Sequence, residues 1–314
     1  MHVAIIAAAT SVIAAGWSPF WLLPLLSVLI GLSFAGLTFL AHETLHGCVV
    51  RNKRLRHLVG CVTFLPFTVS PTLWVAWHNR VHHGHANEPG MDPDANPTLP
   101  EYQASARVRW VTDNFALGRQ NLTGIIGLLV GFTGQSSAVL SGAFRHGYLT
   151  RRQHRRALLE TALGVAFWIV VLAFVGPLAF LFSYVLPLIV ANVIVMAFIF
   201  TNHGLSPVTR TNDPLVNSLS VTTPRLVEWL TLGFGHHVEH HLFPAMSARR
   251  APMVRALLLE RWPDRYQSMS LWHALVTMHR TGRVYGTDIT LNDPVAGGEW
   301  PALLPGGGYP LAPR

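Results

Sequence analysis

Residues 20–46 read FWLLPLLSVLIGLSFAGLTFLAHETLH, an apolar stretch (20–41) that ends directly in His42-Glu-Thr-Leu-His46. A helix needs about 20 mostly apolar residues to cross the hydrocarbon core of a membrane, and 20–41 meets that length. Side chains four residues apart lie on one face of a helix, one turn from each other. The stretch therefore predicts a membrane-spanning helix that carries two metal-binding imidazoles to the point where it leaves the membrane.

Eleven of the 17 histidines fall into four tight clusters, and each cluster lies at or just past the end of an apolar stretch. The clusters are His42 and His46; His78, His82, His83 and His85; His203, which follows Asn202; and His236, His237, His240 and His241. Imidazole suits iron, copper, zinc and nickel, and one tetrahedral zinc needs only four ligands. So many clustered histidines predict more than one metal ion, with iron as the favoured element.

The spacing within the clusters predicts how the rings face. On a helix His78 and His82 share a face, whereas His83 points about 100° away, towards a second metal or a second side of the first. The last cluster repeats this logic with spacings of three and four residues. The predicted metal ligands are His42, His46, His78, His82, His83, His203, His237, His240 and His241.

The composition places these clusters in a membrane protein. Hydrophobic residues make up 50% of the chain and charged residues 12%, against about 25% charged in soluble domains. Residues 122–140 are apolar but rich in Gly, Ser and Thr, which predicts an interfacial or re-entrant helix. For the short segment 3–15, half-insertion or a signal peptide are alternatives to a crossing. The predicted spans are about 3–15, 20–41, 157–175 and 178–201.

The basic residues predict the topology. All 23 Lys and Arg lie in 51–156 or 210–314, and the positive-inside rule makes the side on which they cluster the cytoplasm. The histidine clusters emerge on the same face. The sequence thus predicts an all-α integral membrane protein with about four transmembrane helices in two hairpins and a cytoplasmic helical cap that carries the histidine clusters. One Lys against 22 Arg points to a GC-rich bacterial genome, and hence to a bacterial inner membrane.

Charge and the C-terminal composition set further expectations. A net charge of +8 favours anionic lipid headgroups and an acidic protein partner; a nucleic-acid partner is not expected. Residues 1–285 are expected to form a single membrane domain. Residues 286–314 are rich in Pro and Gly, which predicts an extended or disordered tail. The residues expected to anchor the chain at the membrane interface are Trp74, Trp77, Trp110, Trp229 and Trp262.

Two other protein classes share parts of this pattern. His42-Glu43-Thr-Leu-His46 matches the H-E-x-x-H motif of zinc metalloproteases, with Glu43 as general base. An intramembrane protease of this kind needs one further ligand and leaves about eight clustered histidines without a role. A metal transporter would place its ionisable ligands in the middle of the spans, whereas these clusters lie at span ends.

The three boxes H-x-x-x-H, H-x-x-x-H-H and H-x-x-H-H-L-F-P, in this order around paired apolar stretches, resemble the membrane fatty acid desaturase family. The match is most specific at His237-Val-Glu-His240-His241-Leu-Phe-Pro, and His203 resembles a further ligand that this family places after its fourth span. The resemblance covers about 40–285. The middle box departs from the more common H-x-x-H-H, and the cytochrome b5 motif His-Pro-Gly-Gly does not occur, so we expect a separate electron donor.

The resemblance implies a non-haem di-iron centre held almost wholly by histidine. It implies that O2 and two external electrons are used to remove two hydrogens from neighbouring methylenes of a fatty acyl chain, which gives a double bond and two waters. Hydroxylation, ketone formation or acetylenic bond formation on a lipid or carotenoid are alternatives on the same scaffold. The acyl chain could be carried by a lipid, CoA or acyl-carrier protein, and the donor is expected to be an acidic ferredoxin or cytochrome b5.

Ligand imidazoles need hydrogen-bond acceptors that orient them. The nearest acidic residues in the sequence are Glu43, Glu239, Asp92 and Asp94. Further ligands or orienting groups are expected among His85, His236 and Asn202.

Overall fold

The computed structural model describes residues 1–119 and 121–304. The chain divides into two compact units. The first comprises Met1–Trp77, Phe132–Val195 and Leu230–Leu232; the second comprises His78–Gly131, Met196–Trp229 and the chain from Gly233 onward. That residues 1–285 act as one domain stays a prediction.

Helices dominate the described residues. In chain order they are α1 (His2–Ala14), α2 (Leu23–His46), α3 (Lys53–Thr63), α4 (Pro71–Trp74), α5 (Leu99–Ala104), α6 (Ala106–Phe115), α7 (Ile125–Gly142), α8 (Arg151–Val175), α9 (Pro177–Phe180), α10 (Leu186–His203), α11 (Pro214–Asn217), α12 (Arg225–Leu230), α13 (His237–Leu242), α14 (Ala251–Arg261) and α15 (Leu271–Arg280). Two π-helical segments, Val75–His82 and Leu181–Val185, continue α4 and α9. Short 3-10 turns occur at Phe20–Leu22, Leu65–Phe67, Leu122–Gly124 and Ala248–Arg250.

Among the described residues, four helical stretches are long and apolar enough to cross a membrane: Phe20–His46, Leu122–Gly142, Arg151–Val175 and Pro177–His203. They confirm the prediction of a mainly helical protein with about four candidate spans. The pairing of these helices into hairpins, and a cap on the cytoplasmic side, stay predictions.

The set of candidate spans differs from the predicted set at two places. The first apolar segment forms only the 13-residue helix α1, whereas Leu122–Gly142 is long enough to cross. Serine hydroxyls of α7 bond back to the backbone of the same helix. Ser137 Oγ donates to the Thr133 carbonyl at 2.8 Å, and Ser141 Oγ donates to the Ala138 carbonyl at 2.8 Å. A hydroxyl satisfied in this way does not keep a helix out of hydrocarbon.

Close helix contacts hold the first unit together. A Cβ built on Gly31 of α2 would lie 2.6 Å from Val190 of α10, and one on Gly36 would lie 2.6 Å from the His2 ring of α1. These two glycines therefore let the helices approach each other. Gly47 has a φ of 92°, a left-handed conformation that glycine adopts without strain, and it ends α2 directly after His46.

A partly buried polar cluster also belongs to the first unit. Glu160 of α8 accepts hydrogen bonds from Ser70 Oγ at 2.6 Å and from Thr72 Oγ1 at 2.9 Å. Ser70 in turn caps α4, because its Oγ accepts from the Leu73 N–H at 3.1 Å. The carboxylate thereby fixes the start of the helix that continues into the second histidine cluster.

The second unit contains two small sheets besides its helices. Strands β1 (Ser220–Thr222) and β2 (Ser268–Ser270) pair in parallel, and β3 (Val284–Thr287), β4 (Thr290–Asn292) and β5 (Glu299–Pro301) form an antiparallel sheet. The all-helical expectation therefore omitted short strands.

The described part of the predicted tail differs from expectation, because 284–301 carries the second sheet. Val284, Tyr285 and Leu291 are at most 2% exposed, and their burial gives this segment an apolar anchor that Pro and Gly counts do not reveal. The predicted tail beyond 304 lies outside the described residues.

Candidate metal centre

Four histidines from three separate segments meet inside the second unit. His82 ends the π-helical segment, His203 ends α10, and His237 and His241 lie on α13, one turn apart. One ring nitrogen of each residue lies within 4.8 Å of those of the other three, and each residue is buried. His203 Nε2 and His237 Nε2 are 2.7 Å apart. We call these four residues the first histidine group.

Two rings of this group are fixed by acceptors at their other nitrogen. His203 Nδ1 lies 2.7 Å from the carbonyl oxygen of Asn217, so this nitrogen carries the proton and donates it. His82 Nδ1 lies 3.0 Å from Asp92 Oδ1. In both rings Nε2 is left to face the group, which is the arrangement typical of metal-ligating histidines.

Asp92 is itself held by the backbone. It accepts from the Asn87 N–H at 2.8 Å and from the Asp94 N–H at 3.0 Å. Burial lowers the pKa of His82, but the charge and hydrogen bond of Asp92 outweigh it and raise that pKa to about 9. The same carboxylate would stabilise the positive charge of a metal ion bound at Nε2.

The donor set suits a transition-metal ion. His241 Nε2 is buried and makes no hydrogen bond within the part of the chain that the structure describes. Burial, together with the neighbouring rings of His83 and His237, lowers the pKa of His241 well below its ordinary value. A neutral, buried imidazole without a partner is costly unless a metal ion accepts its lone pair.

A second histidine group lies in the same unit. His83 Nε2 is 3.3 Å from His78 Nε2 and 3.1 Å from His240 Nε2. The rings of His83 and His240 have centroids 4.8 Å apart. Residues 82 and 83 thus belong to different groups, as expected for adjacent side chains that serve two ions side by side.

The middle box brings His78 close to both of its later histidines. The rings of His78 and His82 stack with centroids 4.9 Å apart, in keeping with the predicted shared face. His78 Nε2 also lies 3.3 Å from Nε2 of His83, five residues on. The segment Val75–His82 is π-helical, and the His83 N–H bonds to the His78 carbonyl at 3.0 Å, an i→i−5 bond. A π-helix needs more residues per turn than an α-helix, so residues five apart meet on one face.

The π-helix also accounts for the departure in the middle box. In the α-helical H-x-x-H-H, the two later histidines lie about 60° before and 40° after the first, at 100° per residue. With one more residue and the wider turn of a π-helix, H-x-x-x-H-H brings its two later histidines to nearly the same directions. The extra residue is therefore absorbed by the helix type.

His42 and His46 pair within the first unit. Their ring centroids are 4.7 Å apart, and the Trp74 ring lies 5.4 Å from the first and 5.2 Å from the second. Trp74 and Trp77 are at most 3% exposed, so the expectation that they are interfacial anchors was wrong; Trp74 packs on two predicted ligands. Glu43 Oε1 lies 3.3 Å from His42 Nδ1 and can orient that ring.

The remaining candidate residues lie as follows, and their assignment as further ligands or orienting groups stays a prediction. His85 Nδ1 bonds to Glu88 at 2.6 Å, with 39% of its side chain exposed. His236 lies between Glu228 at 3.2 Å and Glu239 at 3.4 Å. Asn202 is buried and its carbonyl accepts from the Leu219 N–H at 2.8 Å. Asp94 Oδ2 lies 3.4 Å from His82 Nδ1, beside Asp92.

Glu239 organises the helix that carries the last box. Its carboxylate is fully buried and accepts from Ser220 Oγ at 2.6 Å and from Tyr266 Oη at 2.6 Å. Burial alone would raise its pKa, but hydrogen bonds from His236, Ser220 and Tyr266 lower it. Ser220 also accepts from the Val238 N–H at 3.0 Å, which ties β1 to the first turn of α13.

Sequence reasoning missed several residues that hold the ligands. Asn217, Ser220 and Tyr266 are the clearest, and Asn87 is a fourth. They are separated from the residues they support by 14 to 120 positions. A motif search detects ligands at short spacing, and it has no signal for an acceptor delivered by a distant loop.

Known proteins resemble this chain over most of its length. The sequence model of the family described as fatty acid desaturase matches residues 19–272. The chloroplastic omega-6 fatty acid desaturase of Arabidopsis thaliana is 22% identical over 82% of this chain and 57% of its own length. An sn-1 oleoyl-lipid 12-desaturase of Synechocystis is 21% identical over 82% of this chain and 74% of its own length.

A Delta(8)-fatty-acid desaturase of Euglena gracilis is 24% identical over 73% of this chain and 58% of its own length. The chain thus spans little more than half of two of these relatives and about three quarters of the third. No metalloprotease is among these similar proteins, so the comparisons give no support to the H-E-x-x-H alternative. The match of the family model to most of the chain, together with the histidine groups, shows that this chain belongs to the fatty acid desaturase family of oxidoreductases.

Proposed function

We propose that this protein introduces a carbon–carbon double bond into a fatty acyl chain, with O2 as co-substrate, at a centre of two iron ions. The single observation that carries the proposal is the division of the adjacent residues His82 and His83 between two histidine groups. Two groups so close along one helix favour two neighbouring ions over one. Bound there, two iron ions would supply O2 activation and the removal of hydrogen from unactivated methylenes.

The proposed ligands are those that the sequence predicts. The first group would contribute His82, His203, His237 and His241, and the second His78, His83 and His240. His42 and His46 are assigned by the order and spacing of the boxes. Neutral imidazoles suit iron in either oxidation state, and their number leaves little need for carboxylate ligands.

The other residues of the chain keep these rings in place. Asn217 and Asp92 hold protons at Nδ1 of two ligands, so that Nε2 faces the metal. Ser220 and Tyr266 hold Glu239, and through it the helix α13. A ligand set fixed before substrate arrives reduces the reorganisation needed during reaction, and burial keeps bulk water away from the reacting carbon.

The proposed substrate is an acyl chain carried on a membrane lipid. The name of the Synechocystis relative, an sn-1 oleoyl-lipid 12-desaturase, and the four apolar helices support this choice over CoA or acyl-carrier protein. The electrons would come from a separate acidic ferredoxin or cytochrome b5. A bacterial inner membrane with the histidines at its cytoplasmic face is the proposed location, since the Lys and Arg residues cluster there under the positive-inside rule.

The test is expression in a host that lacks lipid desaturases, followed by mass spectrometry of its lipids and metal analysis of the purified protein. We expect acyl chains that are two hydrogens lighter and two iron ions per chain. The His240→Ala variant should give no product, whereas His154→Ala, whose ring bonds to the Leu140 carbonyl and stacks on Phe144, should match the wild type. Chains that gain one oxygen would indicate a hydroxylase, and one zinc without iron would contradict the proposal.

A further inference from the structure

The turn that follows His203 is held by the far C-terminal part of the described chain. Arg283 Nη1 donates to the Gly204 carbonyl at 2.6 Å, and Tyr285 Oη donates to the Ser206 carbonyl at 2.6 Å. The Leu303 N–H donates to the Leu205 carbonyl at 2.7 Å. Three consecutive carbonyls after a predicted ligand are thus each bound by this one segment.

The same segment also accepts a bond from the turn. The Val208 N–H donates to the Asp288 carbonyl at 2.9 Å. Residues 283–303 lie beyond residue 272, where the match to the family model ends. The contacts to the turn after His203 are therefore a property of this chain that the family match does not describe.

Tyr285 joins the turn to the chain that follows the middle box. Its hydroxyl donates to Ser206 and accepts from Asn87 Nδ2 at 3.0 Å. Asn87 Nδ2 also reaches the Pro207 carbonyl at 2.7 Å, and the Asn87 N–H binds Asp92. One buried hydroxyl thus connects the support of His203 with the support of His82.

Arg283 acts at the end of α10. Arg283 is 1% exposed, and its guanidinium also donates to Thr281 Oγ1. The last carbonyls of a helix carry partial negative charge, so a buried guanidinium placed on the Gly204 carbonyl stabilises the helix end that bears His203. Gly118 makes room for it, because a Cβ there would lie 2.6 Å from Arg283 Cγ.

We propose that Arg283 and Tyr285 are positioning residues that hold His203 in the first histidine group, so that these two side chains of the segment 283–303 support the metal centre. This rests on the proposed function only in taking His203 as a metal ligand. Loss of one supporting hydrogen bond around a metal-ligating histidine typically weakens metal binding by about 10- to 100-fold. That effect should be confined to the first group.

The experiment is titration of the detergent-purified, metal-free protein with Co2+, followed by visible absorption, in the wild type and in Tyr285→Phe and Arg283→Lys. The matched control is Thr290→Val on the neighbouring strand, since Thr290 is half-buried and its Oγ1 bonds to Thr287 of the same hairpin, away from the turn after His203. We expect two cobalt ions in the wild type and the control. In the two variants, one site should bind about 10-fold more weakly, while the other site and the far-UV circular dichroism stay unchanged.

The outcomes separate the two proposals. A wild type that binds no cobalt contradicts the proposed function itself. A wild type that binds two ions, with either variant binding both at wild-type affinity, overturns the positioning role. Equal weakening of both sites, or failure of both variants to fold, overturns it too, because the segment would then act on the fold as a whole.

Discussion

His82 Nδ1 lies 3.0 Å from Asp92 Oδ1, and both side chains are buried. The carboxylate is ten residues away in sequence, and its orientation is set by two backbone N–H groups. It faces the ring nitrogen that points away from the first histidine group. The loop backbone at Asn87 and Asp94 thus places the Asp92 carboxylate where it can stabilise positive charge on the predicted ligand His82.

Asp92→Asn should weaken metal binding by about 10- to 100-fold, because the amide keeps the shape but removes the charge that stabilises a metal-bound ring. Calorimetric titration of the metal-free protein measures this. Glu88→Gln is the matched control, since Glu88 binds the half-exposed His85 and should leave affinity unchanged. If the control lost affinity and Asp92→Asn did not, His85 would be the ligand to consider instead.

Deletion of Arg80 should preserve metal binding. The deletion converts the middle box to H-x-x-H-H. If the segment then becomes α-helical, its two later histidines point in nearly the same directions as they do in the π-helix. Arg80 is exposed, so its side chain is not needed for packing. An added alanine after Arg80 should instead lower metal stoichiometry. Equal loss in the deletion and the insertion would show that the π-helix does not compensate the spacing.

Because of the pair His57–Glu160, the stability of the fold should decrease at alkaline pH. Hydrogen bonds to Cys61 and Glu160 raise the pKa of His57 to about 9, although burial lowers it. In the unfolded chain a histidine titrates near 6.5. The folded state therefore holds this proton more tightly, and the resulting stability is fully present below about pH 6.5 and is lost as the pH rises through about 9.

Thermal unfolding in detergent at pH 6.5 and 9.5 measures this loss. Between these two pH values the melting temperature should fall further in the wild type than in His57→Gln. The difference should be roughly 2–4 °C for each kcal/mol that the pair contributes. His154→Gln should behave as the wild type does, because its ring bonds to a backbone carbonyl. Parallel curves for the wild type and His57→Gln would contradict the prediction.

Charge reversal at Arg249 and Arg250 should slow electron delivery from an acidic donor. Both side chains are exposed directly before α14, which packs on α13 through Val254 and Val238. Complementary charge raises association rates by about 10-fold or more at low salt. Stopped-flow reduction by ferredoxin should therefore be slower in the double variant Arg249→Glu/Arg250→Glu than in Arg151→Glu/Arg152→Glu. Rates that are independent of salt and of both reversals would contradict docking at this surface.

Local sequence was enough to find the candidate spans and the histidine clusters. Both follow from short-range rules: about 20 apolar residues for a span, and spacing of three or four residues for rings on one helix face. Two local effects add to these rules. The hydroxyls of α7 bond to their own helix, and the π-helical turn also brings His83 to the face of His78.

Tertiary structure alone decided which groups support the ligands. The acceptors at Asn217 and Asp92, and the bonds from Arg283 and Tyr285, join positions that no local pattern relates. A buried polar atom must find a partner wherever the folded chain can deliver one. The sequence by itself therefore determined which residues could bind a metal, whereas only the folded chain decided how each ring is oriented and which rings lie together.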